Sequence, residues 1–215
     1  MERQIRISTR FALVVAILVV WTGAAIADQQ ERTVSFEVPR SDLEQAQALA
    51  NQLVALSPKV NREEANRLAD CAYATVSQLR KQYPMFGTPI FNNFLIYRGI
   101  KKRGYCFQWA EDLLVALDAL KLTSLELHWG ESNPGNWREN NCLVVTARGQ
   151  PFKYGIILDC WRHFGHLRWN AVGSDEDPYV ENSAYARFVR ARSAAAADRH
   201  LAFQRKLGAK EKNSE

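Results

Sequence analysis

Two neighbouring stretches, NNCLVVTA over 140–147 and YGIILDCWRHF over 154–164, do most to narrow what this chain can become. Both are rich in aliphatic and β-branched residues, and Arg148-Gly149-Gln150-Pro151 between them reads as a hairpin turn. Neither alternates between apolar and polar positions, so both faces of the pair need covering, as in central strands of a sheet buried on two sides. With the turn centred between Gly149 and Gln150, the antiparallel register sets Asn140 directly opposite Asp159 and on the same face. A carboxylate inside such a sheet is strongly unfavourable unless something holds it, so Asp159 is expected to have a partner.

The chain ahead of this hairpin supplies helices. Ser41-Asp42-Leu43-Glu44 reads as a capping box opening a helix that runs to about Leu56 and stops at Ser57-Pro58. A second start at Asn61 leads into Ala65, Leu68, Ala72, Val76 and Leu79, one apolar face reaching about Tyr83. Pro84, Gly87 and Pro89 then break the chain, and Ile90–Tyr97 fits either a strand or a short buried helix. Asn92 and Asn93 interrupt that apolar run and must find hydrogen bonds if buried. From Gly99 to Leu120 a Gly-Tyr turn leads to Cys106 in the first turn of an amphipathic helix carrying Trp109, Ala110, Leu113, Leu114, Leu117 and Leu120. Leu122–Trp129 alternates as a strand with one apolar face, and 130–137 is a loop. After Gly165 the chain reads as irregular through the solvated acids Asp175, Glu176 and Asp177, and a helix is expected from Tyr185 to about Leu207.

Charge has to be divided along the chain before it means anything. Residues 28–186 hold 17 basic and 19 acidic side chains, so the formal +5 of the whole comes from its two ends. Basic and acidic residues are mixed through the body, which excludes the one-sided basic face of a nucleic-acid binder. The first 27 residues have a basic start with Arg3, Arg6 and Arg10, a 17-residue apolar run and the ending Ala25-Ile26-Ala27. That is the layout of a secretory signal, with cleavage expected after Ala27 and a periplasmic or secreted product. The alternative is an uncleaved inner-membrane anchor, the only membrane attachment the sequence suggests. The chain thus divides into a signal at 1–27, one α+β domain at 28–186 and a basic helical or disordered tail at 187–215.

Cys71, Cys106, Cys142 and Cys160 are too widely spaced for a redox CxxC motif or a zinc site, and neither a metal nor a cofactor is expected. Cys106 stands apart from the other three. The unpaired N–H groups at a helix start favour a thiolate, and Lys101, Lys102 and Arg103 just upstream add positive potential, so a nucleophile is expected there.

A cysteine at a helix start, a strand, and then an adjacent strand bearing aspartate form an order that resembles the transglutaminase-like branch of the papain-like cysteine enzymes. Gly104-Tyr105-Cys106 with Trp109-Ala110, Arg138-Glu139-Asn140-Asn141, and Leu158-Asp159-Cys160-Trp161 carry the resemblance over residues 90–170. The Gly-x-Cys-x-x-Trp-Ala segment is also similar to amidase domains that cut peptidoglycan cross-bridges. The resemblance implies N-terminal helices and a cysteine helix packed on an antiparallel sheet, with Cys106 as nucleophile and Asp159 orienting a histidine. The histidine position falls on Asn140, whose amide can serve as neither general base nor general acid.

His128, at the end of the Leu122–Trp129 strand, is the stand-in able to project toward the helix start. His163 lies about 13 Å beyond Asp159, at roughly 3.3 Å per residue. His166 lies further on, and His200 is in the tail. Two functions follow from the resemblance. One is a cysteine hydrolase or acyltransferase acting on peptide or amide bonds. The other is an inactive relative binding a peptide or cell-envelope component.

Overall fold

Helices on one side of a five-stranded antiparallel sheet make an α+β architecture. The computed structural model describes the backbone of residues 36–212 and side chains through 202, and the signal expected at 1–27 lies outside these residues. Among the described residues no helix is long and apolar enough to cross a membrane.

Helix α1 spans Leu43–Ala55 and α2 spans Arg62–Gln82. The capping box at Ser41 does not form. Arg40–Asp42 close a 3-10 turn, Asp42 becomes the N-cap with no side-chain cap bond, and the Ser41 hydroxyl donates to Asp42 Oδ1 at 3.0 Å. Asn61 does cap α2, its Oδ1 accepting from the amides of Glu63 and Glu64 at 2.8 and 3.2 Å.

The ambiguous stretch is a helix, α3, over Pro89–Tyr97. Proline at its first position and Thr88 Oγ1, accepting from Phe91 N–H at 3.1 Å, decide it. Asn92 is fully buried and satisfied. It bonds both backbone groups of Phe86, donates to Thr88 O, and accepts from Lys101 Nζ at 2.7 Å. Helix α4, Cys106–Asp118, packs on α2 and on the sheet, where it meets β2.

The strands are β1 Leu125–Ser132, β2 Asn140–Ala147, β3 Ile156–Asp159, β4 Arg168–Ala171 and β5 Val180–Glu181, in the order β4-β3-β2-β1-β5. β4 and β5 occupy the stretch expected to be irregular; four and two residues are too short to display a periodicity. β2 is buried at every residue and β3 likewise, as expected of covered central strands.

The hairpin register differs from its sequence reading. Leu143 pairs with Leu158 and Val144 with Ile157, which sets Asp159 beside Cys142 rather than Asn140. Residues Phe152–Tyr154 form a 3-10 turn, so the strand begins at Ile156 instead of Tyr154, and the pairing slides by two positions. An even slip leaves every side chain on its expected face, so Asn140 and Asp159 still share one. The second strand also stops early. Asp159 Oδ1 accepts from the amides of Trp161 and Arg162 at 2.9 and 3.3 Å, turning the chain out of the sheet.

The sheet has two covered faces. Leu127, Trp129, Leu143, Val145, Ile156 and Leu158 join the main core with α1, α2 and α4. Cys142, Val144 and Ile157 lie on the opposite face under Phe152, Val172 and Tyr179. The last helix, α5, runs Ser183–Lys212, and its first turns belong to the body. Ala186 and Val189 are buried, Arg190 Nε pairs with Asp118 at 3.0 Å, and Arg192 Nη2 pairs with Glu111 at 2.7 Å. The boundary read at 186 therefore falls inside a docked segment that continues to Arg192.

Candidate functional site

Gly104 makes the turn that delivers Cys106. Its φ of +127° suits glycine, its N–H donates to Gln108 Oε1 at 2.7 Å, and its carbonyl accepts from the Trp109 indole at 3.2 Å. Gln108 also accepts from the Tyr105 N–H, at 3.2 Å, so the first turn of α4 is fixed before the cysteine is placed. Cys106 is the first residue of α4 and is 7% exposed.

Asn141 of β2 faces this thiol. Its Nδ2 donates to Cys106 Sγ at 3.5 Å and to Glu139 Oε1 at 3.2 Å, while its Oδ1 accepts from the Trp129 indole at 3.0 Å. An indole N–H only donates, so the Trp129 contact fixes which end of the amide points at sulfur. The Glu139 carbonyl lies 3.9 Å from Sγ, and the other carboxylate oxygen of Glu139 accepts from Gly135 N–H at 2.8 Å. Cys106, Asn141 and Glu139 are thus linked in line, with an amide where a relay would need a proton acceptor.

Burial pushes the Cys106 thiol above its ordinary pKa, against the pull of the Asn141 amide and of the backbone N–H groups of Asn141 and Phe107; Glu139 adds to the upward push. The expected lowering by the helix start is outweighed. The upstream cations do not reverse this, because Lys101 bonds Asn92 and Pro84 O, and Arg103 pairs with Asp112 at 3.1 Å.

The other expected site residues lie across the sheet. Asn140 and Asp159 do meet, Asn140 Nδ2 donating to Asp159 Oδ2 at 2.9 Å and to the Tyr179 hydroxyl at 2.7 Å. They do so on the Cys142 face, while Cys106 lies on the helix face with Asn141. Burial raises the Asp159 pKa, countered by the bonds from Asn140, Trp161 and Arg162. This group holds the ends of β2 and β3 to the loop around Tyr179 and has no hydrogen bond to Cys106.

His128 is also on the far face. Its Nδ1 lies 2.8 Å from Glu181 Oε1 and its Nε2 2.9 Å from Thr146 Oγ1, tying β1 to β5 and β2. His166 is engaged with Arg80 at 3.3 Å, and His163 and His200 are exposed. All four cysteines are free, and Cys106 and Cys142 point to opposite faces.

Sequence reasoning missed Asn141 and Glu139 as neighbours of the thiol, because β2 is apolar on both sides and its own pattern does not say which face meets α4. The signal was in β1, whose alternation marks Leu125, Leu127 and Trp129 as the core face. Pairing across the 133–139 loop sets Trp129 against Leu143 and Glu131 against Asn141, which puts Asn141 on that face.

The chain matches no protein-family model, and neither the curated proteins nor the solved structures compared with it provide a match.

Proposed function

We propose that this chain is an exported, transglutaminase-like domain of the papain-like class that binds a peptide or cell-envelope component beside Cys106 without cleaving it. The observation that carries the reading is the Asn141 amide between Cys106 and Glu139. It can donate to sulfur but cannot take a proton from it, and burial keeps the thiol protonated near neutrality. Without a proton acceptor beside the thiol, a peptide held there would not be cleaved. Trp137, 73% exposed on the loop leading to Glu139, offers an aromatic surface against which a peptide can lie.

The test is incubation with short cell-wall peptides, with binding read by calorimetry and cleavage by mass spectrometry. Binding without cleavage, weakened by Trp137→Ala, is expected. Cleavage abolished by Cys106→Ser would establish the cysteine hydrolase reading instead, and absence of binding would remove the peptide-binding one.

A further inference from the structure

Helix α3 is turned inside out by the standards of a water-soluble surface. Phe86, Ile90, Phe91, Phe94, Tyr97 and Ile100 are between 46% and 80% exposed, while the one fully buried residue of the helix is the polar Asn92. Ile90, Phe94 and Tyr97 recur at helical spacing, and the Phe91 and Phe94 rings stack at 6.2 Å, so the apolar groups form one outward face. The helix is held rigidly from beneath through the Asn92 bonds to Phe86, Thr88 and Lys101. Large exposed apolar faces on a rigid element mark contact surfaces.

The charge around this face identifies its partner. From Pro84 to Ala110, the stretch that contains α3, the sequence has no Asp or Glu, yet it carries Arg98, Lys101, Lys102 and Arg103, of which Arg103 pairs with Asp112. The body as a whole has more acidic than basic residues, so this is a local concentration and not a global excess. Arg98 and Lys102 flank the C-terminal end of α3, are exposed, and make no ion pair among the described residues. An aromatic and aliphatic helix face rimmed by basic side chains has the chemistry of an interfacial helix lying in the headgroup region of an anionic bilayer.

We infer that α3 and the turn after it, residues 86–103, dock this protein on the surface of an anionic lipid bilayer. The apolar side chains enter the interface and Arg98 and Lys102 meet the headgroups. This is independent of the reading of Cys106 and of any attachment through residues 1–27.

Hydrogen exchange read by mass spectrometry on the full chain tests it, because peptides covering 86–103 report on this surface whatever the N-terminus does. Vesicles of phosphatidylglycerol and phosphatidylcholine should slow exchange in these peptides, and vesicles of phosphatidylcholine alone should not. Raised salt should reverse the protection. Each Lys or Arg at an anionic surface strengthens association roughly fivefold, so Arg98→Glu with Lys102→Glu should weaken it by more than tenfold. Both positions are exposed and leave the core untouched; Phe91→Ser with Phe94→Ser should abolish the protection as well. Unchanged exchange on anionic vesicles would overturn the inference. So would equal protection on both lipid compositions, or protection that grows with protein concentration in the absence of lipid, which would assign the face to a second copy of the chain.

Discussion

The two consecutive asparagines of β2 have opposite fates, Asn141 meeting Cys106 and Asn140 meeting Asp159, because a strand sends neighbours to opposite faces. Asn141→His should place an imidazole between the thiol and the Glu139 carboxylate, with one ring nitrogen toward each. Labelling of Cys106 by iodoacetamide at neutral pH should then rise by about tenfold or more, as a paired thiol's pKa falls by a unit or more. Cys106→Ser in that background must remove the gain. Asn140→His should leave Cys106 labelling unchanged and instead destabilise the fold by about 1–3 kcal/mol, since it disturbs buried bonds to Asp159 and Tyr179. Urea unfolding of the two variants separates these effects, and equal Cys106 activation by both would contradict the placement of the two residues.

Much of the element order was legible, since Asn61 and the Gly-Tyr turn are start signals written in a few residues and the apolar faces of α2 and α4 repeat over several turns; α3, nine residues long, was too short for its pattern to separate helix from strand. What escaped were contacts made between distant segments. Glu64, on α2, reads as one more first-turn acid, yet it is buried and accepts four bonds at 2.7 Å from the amides and hydroxyls of Thr123 and Ser124, pinning α2 to the start of β1. Burial pushes its pKa upward, but these bonds overcome that and hold it at about 2, below the ordinary 4.5. A depressed carboxylate pKa means stability that is present above the unfolded value and lost as pH falls from there through the folded one. Stability should accordingly drop between pH 4.5 and about 2. Glu64→Gln should cost about 1–3 kcal/mol at neutral pH and flatten that acid limb in pH-dependent denaturant titrations. Helix α5 shows the same limit. Its composition suggests a loose tail, but Ala186, Val189 and Arg190 anchor the first turns while Leu201 is 54% exposed. Ending the chain after Ser193 should change the melting temperature by less than about 2 °C, whereas ending it after Asn182 should lower it by about 5 °C or more.

At the scale of the whole molecule, the N-terminal reading predicts a mature protein beginning at Asp28, checked by mass spectrometry of the chain recovered after export; an intact Met1 or Glu2 in a membrane fraction would mean retention of the segment. The sheet itself is the larger organising fact. It separates a buried cluster of Asn140, Asp159 and Tyr179 from the thiol face, so the residues that most resemble catalytic machinery in the sequence serve to close the structure, and the thiol face is supported independently by Trp129 and Glu139. Asparagine and histidine codons differ only in their first base. With the cysteine and the carboxylate already in position on either side of residue 141, the step between the present amide and an imidazole able to relay a proton is a single nucleotide at one codon, while the same change one codon earlier would reach the wrong side of the sheet.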